Sequence, residues 1–370
     1  MPPPSPPTEP PGFSTHAGDT AGGLDPAARQ AFGAGELAVV LSHYDLGVLD
    51  EVLDFRRGSR KSPKALIRSE SGDFLLKRRA PGKDDAHKVA FCHGVQLHLA
   101  DKGFPLPRLV GTRRSNNSML RAFDSVYELF EFLDGARYDG SLEATHAAGR
   151  TLAQFHELLA DHKWSYAPPA GSYHRAKSVR AAFEQAPQAL DRLGLWRPES
   201  QQALASLDRL YDGAATHARQ EGVDDWPKHI AHCDWHPGNL LFRKNKVLAV
   251  LDYDAARVQP RLIDVANGAL QFSMRADAAD AADWPSEPDL GRFRRFLRGY
   301  DEDARTLLSR AELRALPSLM IEAAVAQGLI PIAVTGRVSR LPGDAFLLAT
   351  ERKCRWIYQH AQELTEAAES

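Results

Sequence analysis

The stretch His232 to Phe242, "HCDWHPGNLLF", constrains this chain more than any other. Two histidines, a cysteine, an aspartate and an asparagine crowd around a Pro-Gly turn, and an apolar run follows at once. A second apolar run, "KVLAVLDYD", comes after "RKNK". The two runs read as the strands of a hairpin. That hairpin returns Asp252 to the side of Asp234 and Asn239. Three uses of such a cluster compete. A zinc site from His232, Cys233 and His236 has no C-x-x-C or H-E-x-x-H partner elsewhere. A polar turn collects Asp, Asn, Pro and Gly for backbone reasons alone, but it does not account for the return of Asp252. The third use is phosphoryl transfer. It needs a carboxylate to orient the attacking hydroxyl, and a carboxamide and a second carboxylate to hold Mg²⁺ against nucleotide phosphates. Mg²⁺ prefers oxygen ligands, which Asn and Asp supply.

The rest of the chain narrows the class. Its 370 residues leave room for two modest domains or one large two-lobed one. A net charge of −2 gives no reason to expect nucleic acid or an anionic membrane surface. Cys92, Cys233 and Cys354 are too few and too scattered for a disulfide framework, which fits a reducing cytoplasm. The most apolar stretch, "SLMIEAAVAQGLIPIAV", is interrupted by Glu322, Gln327 and Pro331, so no membrane span is expected. Residues 1–35 form a Pro-rich tail expected to be disordered. Short strand-like runs follow: "VLDEVLDF", "PKALIRSESGDFLLKRR", "FPLPRLVGT" and "SVYELFEFL". Among them, "DAHKVAFCHGVQLHLADKG" has helical spacing with Val89, Cys92, Leu97 and Leu99 near one stripe. After Asp134-Gly135 the patterns are helical. Strands first and helices second predict an α+β chain with two lobes.

"HCDWHPGN" followed by "VLDYD" resembles the catalytic loop and metal-binding aspartate of the kinase-like small-molecule phosphotransferases. These include aminoglycoside phosphotransferases, choline and ethanolamine kinases, bacterial homoserine kinases and spore-coat kinase-like proteins. The resemblance implies a bilobal protein-kinase-like fold with a small antiparallel β-sheet lobe and a mostly helical lobe. It implies a nucleotide-binding lobe at 36–133 and a catalytic and acceptor lobe at 134–366. ATP and Mg²⁺ are the implied cofactors, and the implied partner is a small molecule with a hydroxyl group. Asp234 would be the base, Asn239 and Asp252 the Mg²⁺ ligands, and His232 a brace for the loop. Asp264 would anchor that loop.

On the nucleotide side, "FRRGSRKSP" sits between two strand-like runs. Gly58 lets backbone approach phosphate, and Ser59 and Ser62 can donate hydrogen bonds. In "FLLKRR", Lys77 alternates inward with Leu75, so it can face phosphates; Arg78 faces the other side and Arg79 is a rival. The family pairs this lysine with a glutamate on the next helix, but that helix contains none; His93 and Gln96 lie near the spacing. The absence favours a second reading, a nucleotide-binding adaptor without turnover. Glu131 to Leu133 resemble the hinge whose main chain pairs with adenine. For the acceptor, the segment around Trp284, with Asp277, Asp280, Asp283, Glu287 and Asp289, is either a surface for a cationic amino alcohol or a solvated acidic loop. "GSYHRAK" is a second candidate segment.

Overall fold

The structure, a computed structural model, describes residues 29–276 and 278–369. Most of the expected tail lies outside them. At its described end, α1 (Ala34–Leu41) has already begun. Just before it, the Arg29 guanidinium donates to the carbonyls of Gly58 and Ser59, tying this segment to the basic loop.

The first lobe contains β1 (Leu49–Asp54), β2 (Lys64–Ser69), β3 (Gly72–Arg78), α2 (Ala86–Asp101), β4 (Leu120–Ala122) and β5 (Ser125–Glu131). The strands form one antiparallel sheet in the order β1-β2-β3-β5-β4. The β2–β3 turn closes at Gly72, whose φ of +127° is open to glycine and rarely to other residues. In register, Lys77 on β3 lies opposite Lys64 on β2 and opposite Glu128 on β5. One side of the sheet buries Ile67, Phe74, Leu76, Tyr127 and Leu129 with Val40 and Leu41 of α1. The stretch "FPLPRLVGT" is not a strand. Pro105 and Pro107 lack the N–H groups a ladder requires, and only Val110 and Glu131 exchange bonds across to Leu129 and Arg108. Helix α2 is capped by the Asp85 carboxylate, which accepts from the His87 and Lys88 amides. It buries Val89, Cys92, Val95 and Leu99, but Leu97, expected on that stripe, is 44% exposed. His93 and Gln96 are buried instead.

The second lobe runs α3 (Leu142–Leu158), α4 (Lys177–Asp191), α5 (Pro198–Gln220), β6 (Lys228–Ala231), β7 (Leu240–Arg243), β8 (Lys246–Val250), β9 (Arg257–Pro260), α6 (Leu262–Ser273), α7 (Leu290–Asp303), α8 (Arg310–Thr335), the short pair β10 (Arg337–Val338) and β11 (Leu341–Pro342), α9 (Gly343–Gln359) and α10 (Ala361–Glu369). Helix α8 is long and apolar enough to cross a membrane by composition, yet 72% of its most apolar window is buried among the other helices. It is the central core helix of this lobe. The "RKNK" hairpin forms as expected between β7 and β8. Lys244 and Asn245 both adopt positive φ, the geometry that matches strand twist in a two-residue turn.

Candidate active site

The site is built on two short ribbons. Ala231 at the end of β6 pairs with Arg257 of β9, and the loop 232–239 runs from there into the β7–β8 hairpin. The hairpin's return is fixed by Leu251 N–H, which donates to Asn239 O at 2.8 Å. Asp264, fully buried near the start of α6, holds the loop from below. It accepts from the amides of His232 (2.5 Å) and Cys233 (2.6 Å) and from His156 Nε2 (3.1 Å). Cys233 sits at φ +59° to present its amide this way. Such a conformation costs about 1–3 kcal/mol and persists where surroundings over-determine it. His156, whose Nδ1 accepts from Tyr300 OH at 3.0 Å, carried no local signal in the sequence.

Within the loop, Asn239 Nδ2 donates to the Asp234 carbonyl (3.0 Å) and to its carboxylate Oδ2 (2.9 Å). The amide oxygen of Asn239 is thereby turned away from Asp234. The other carboxylate oxygen of Asp234 lies 3.6 Å from His236 Nε2. Gly238 N–H donates to His236 Nδ1, which leaves Nε2 as the ring nitrogen turned toward Asp234. Burial pushes the Asp234 carboxyl up, but His236 outweighs it and holds the group below its ordinary value. Asp234 is therefore a carboxylate at neutral pH. His232 Nε2 donates to Leu251 O at 3.1 Å, bracing the loop against the segment that leaves β8 toward Asp252, and burial keeps this ring neutral. Asp252 stands at φ +58°, and its Oδ1 is buried with no hydrogen-bond partner. Among the described residues no three His, Cys, Asp or Glu side chains converge on one point, which leaves the zinc alternative without ligands.

The nucleotide side differs from expectation in an informative way. The acid facing Lys77 comes from the neighbouring strand and not from α2. Glu128, fully buried on β5, lies 3.5 Å from Lys77 Nζ and 2.8 Å from Arg79 Nη2. Asp254, just beyond Asp252, takes the same two cations at 3.2 and 2.5 Å. Helix α2 answers Glu128 with His93, whose Nε2 is 2.7 Å from the carboxylate and whose Nδ1 is 2.8 Å from Ser118 Oγ. Two cations and two anions thus balance inside the cleft. Arg79, read as a rival of Lys77, is its companion, while Arg78 pairs with Glu36 on the far side of the sheet.

The basic loop is only partly as expected. Gly58 has φ +84°, and a Cβ there would lie 2.7 Å from Lys64 Nζ, so glycine leaves room for a second ammonium under the loop. Ser59 Oγ accepts from Lys61 N–H. Ser62 does not present its hydroxyl to the cleft: it is buried and donates to Arg78 O at 2.6 Å. In the hinge, Glu131 N–H donates to Arg108 O and Phe132 N–H to Asp73 O, so those two donors are spent. Leu133 N–H is the hinge donor left to consider. The segment around Trp284 does not offer its aromatic ring as an open face, while Asp283 and Glu287 are exposed. Trp284 is buried edge-on against Phe346, and Asp280 and Asp289 accept backbone amides as caps. Asp277 lies outside the described residues.

The pocket beside Asp234 is elsewhere. A cavity of about 240 Å³ is lined by Asp234, Cys233 and Arg257, by Ser172 and Tyr173, and by Asn267 and Gln327 of α6 and α8. The segment "GSYHRAK" forms one wall. It is held by fully buried Glu322 of α8, which accepts from His174 Nδ1 (2.7 Å) and Arg175 N–H (2.9 Å).

The family model described as "Phosphotransferase enzyme family" matches residues 55–313. The chain belongs to this family. It is a kinase that phosphorylates a hydroxyl group, and its acceptor is a small molecule. It is 25% identical over 300 residues to a homoserine kinase of Beijerinckia indica, covering 77% of this chain and 80% of that protein. It is 27% identical over 305 residues to a homoserine kinase of Xanthobacter autotrophicus, covering 78% and 82%. In fold it is similar to a microcompartment-associated aminopropanol kinase (TM-score 0.64, 17% identity, 88% and 97% covered). It is also similar to an amicoumacin kinase solved with AMP-PNP and Ca²⁺ (TM-score 0.60, 12% identity, 90% and 93% covered). The fold is common to this chain and these two solved kinases.

Proposed function

We propose that this kinase transfers the γ-phosphoryl group of ATP, with Mg²⁺, to a hydroxyl presented in the 240 Å³ cavity. The observation that carries the reading is the place of Asp234: an ionised carboxylate, held by Asn239, on the wall of that cavity. In this reading Asp234 accepts a hydrogen bond from the acceptor hydroxyl and orients its oxygen in line with the γ-phosphorus. As the new P–O bond forms and the bond to the β-phosphate oxygen breaks, the hydroxyl proton passes to Asp234 and ADP leaves. Lys77 and Lys64 place two ammonium groups where phosphate charge would lie. Gly58 allows the loop backbone to approach, and Ser59 stands beside it; Leu133 N–H and the Glu131 carbonyl are the groups offered to adenine. The partnerless Asp252 Oδ1 and the free amide oxygen of Asn239 fit an oxygen-preferring cation. A bound Mg²⁺ would offset phosphate charge there.

The adaptor reading rested on the missing helix glutamate. Glu128 supplies that acid from β5, which removes its support. The relatives' names place hydroxy amino acids in the acceptor panel beside amino alcohols, sugars and aminoglycosides. The three cysteines are unpaired, which supports a reducing, cytoplasmic setting. The test is ADP release over that panel with Mg²⁺-ATP. Turnover by the wild type that collapses in Asp234→Asn is expected; ATP binding with no turnover on any acceptor would overturn the proposal.

A further inference from the structure

We propose that the acceptor is a small hydroxylated carboxylate, its acid group held by Arg257 while its hydroxyl meets Asp234. This rests on the phosphotransfer reading above and names the substrate class for the same site. Arg257 and Asp234 line the same cavity, because β9 pairs Arg257 with Ala231, three residues before Asp234. The Arg257 residue is half-buried. Its one hydrogen bond is from Nε to the Ala255 carbonyl, at 2.9 Å. Among the described residues no carboxylate pairs with it, whereas Lys77, Arg79 and Arg261 each have one. A guanidinium is always charged, and its remaining N–H groups form a fork that matches a carboxylate. A half-buried cation without a counter-charge is costly to keep unless a ligand supplies the anion.

The other walls agree. Asp234 is the sole carboxylate lining the cavity, and it is already engaged by Asn239 and faced by His236. Two buried acids stand behind the wall, and both are spent: Glu322 on His174 and Arg175, and Asp264 on the His232 and Cys233 amides. An ammonium-bearing acceptor without a carboxylate would therefore meet Arg257 and find no free acid. On the far side, Gln271, Gln327, Asn267 and the Trp235 carbonyl form a fixed amide chain, which orients the pocket amides rather than leaving them free to flip. Ile263, Ala323 and Ala326 give an apolar floor for a short carbon chain. The cavity, about 240 Å³, has room for a short acceptor of this kind.

The test measures ADP release by the full-length protein with Mg²⁺-ATP on matched acceptors: L-homoserine and 4-hydroxybutyrate, 1,4-butanediol without the acid, and 4-amino-1-butanol with an amine in its place. The hydroxy acids should be used and the other two should not. Arg257→Met and Arg257→Lys should raise the KM for hydroxy acids by roughly 10- to 100-fold, the range for hydrogen bonds to a charged group, with a smaller change in kcat. Lysine keeps the charge but not the fork, so it should rescue only partly. Should either variant fold poorly, protection of the wild type by 4-hydroxybutyrate but not butanediol in thermal melts reads the same preference. Preference for the amino alcohol, or a hydroxy-acid KM unchanged in both variants, would overturn the inference while leaving phosphotransfer intact. No ADP release with any acceptor would instead overturn the phosphotransfer reading on which it rests.

Discussion

Glu128→Gln is the sharpest perturbation of this cleft. The glutamine keeps the shape of the side chain and can still accept from Arg79 or His93, but it carries no charge. The wild-type cluster balances Lys77 and Arg79 against Glu128 and Asp254. The variant leaves two buried cations sharing one acid, so one positive charge is uncompensated at a position where Glu128 is fully buried. Removing one partner of a buried pair costs about 3–5 kcal/mol. Against a total stability of about 5–15 kcal/mol that is a large fraction, and it corresponds to a fall in melting temperature on the order of 10 °C. Mg²⁺-ATP should narrow the gap, because phosphate brings negative charge to Lys77. The gap should also depend on pH. Burial pushes the Glu128 carboxyl up, but Lys77 and Arg79 pull it well below its ordinary value of 4.5. A depressed native value means the stabilisation is full above about pH 4.5 and is lost as the pH falls through the native value. Melts of both proteins from about pH 2 to 8, with and without nucleotide, make the measurement, the gap closing only in the acid part of that range. An apo variant melting within about 2 °C of the wild type at pH 7 would refute the balance of charges argued here.

Asp234→Asn should lower kcat by about 10²–10⁴-fold with ATP affinity little changed, since it removes the proton acceptor and keeps the shape; near-normal turnover in a steady-state assay would exclude Asp234. Asp252→Ala should abolish the Mg²⁺-dependent part of ATP protection in thermal melts while the apo protein stays folded; an unchanged Mg²⁺ response would exclude Asp252 as a ligand. Asp264→Ala should destabilise the protein by about 1–3 kcal/mol or more in urea unfolding, because it strands the His232 and Cys233 amides. Lys353, whose ammonium lies over the Trp284 ring, is pushed by burial down to about 8 from 10.5. The unfolded chain therefore binds more protons between those values, and stability should rise with pH across that window. Lys353→Met should stabilise at pH 7 by about 1–2 kcal/mol, less than the full shift because the ring offsets some of the cost; the same melting-temperature gain at pH 7 and pH 10 would count against this.

What could be read from the sequence and what could not divide along a physical line. The loop, the hairpin and Asp252 were legible because their residues are close in sequence and because a Pro-Gly turn and a two-residue hairpin fix local geometry. Lys77 was legible from strand alternation, as was Arg78's opposite facing. Ser62 was misread because a loop hydroxyl gives no sign in sequence of whether it points to ligand or back to a strand carbonyl. Leu97 was misread because α2 buries Gln96, which donates to the Cys92 carbonyl one turn back, and His93, which is held by a partner that only the fold brings near. That partner, Glu128, was visible as an acid set between apolar residues in "SVYELFEFL", a placement that demands a counter-charge. Pairing β3 with β5 would have put it opposite Lys77, but strands separated by a helix and a long loop carry no register in their sequence. The acceptor pocket needed still more: α6, α8, β9 and the 172–178 segment meet only when the helical lobe is packed. So the chemistry of phosphoryl transfer, which is local, could be read early. The choice of acceptor is not local: in the reading proposed above it turns on Arg257, which only the packed fold brings to the cavity that Asp234 lines.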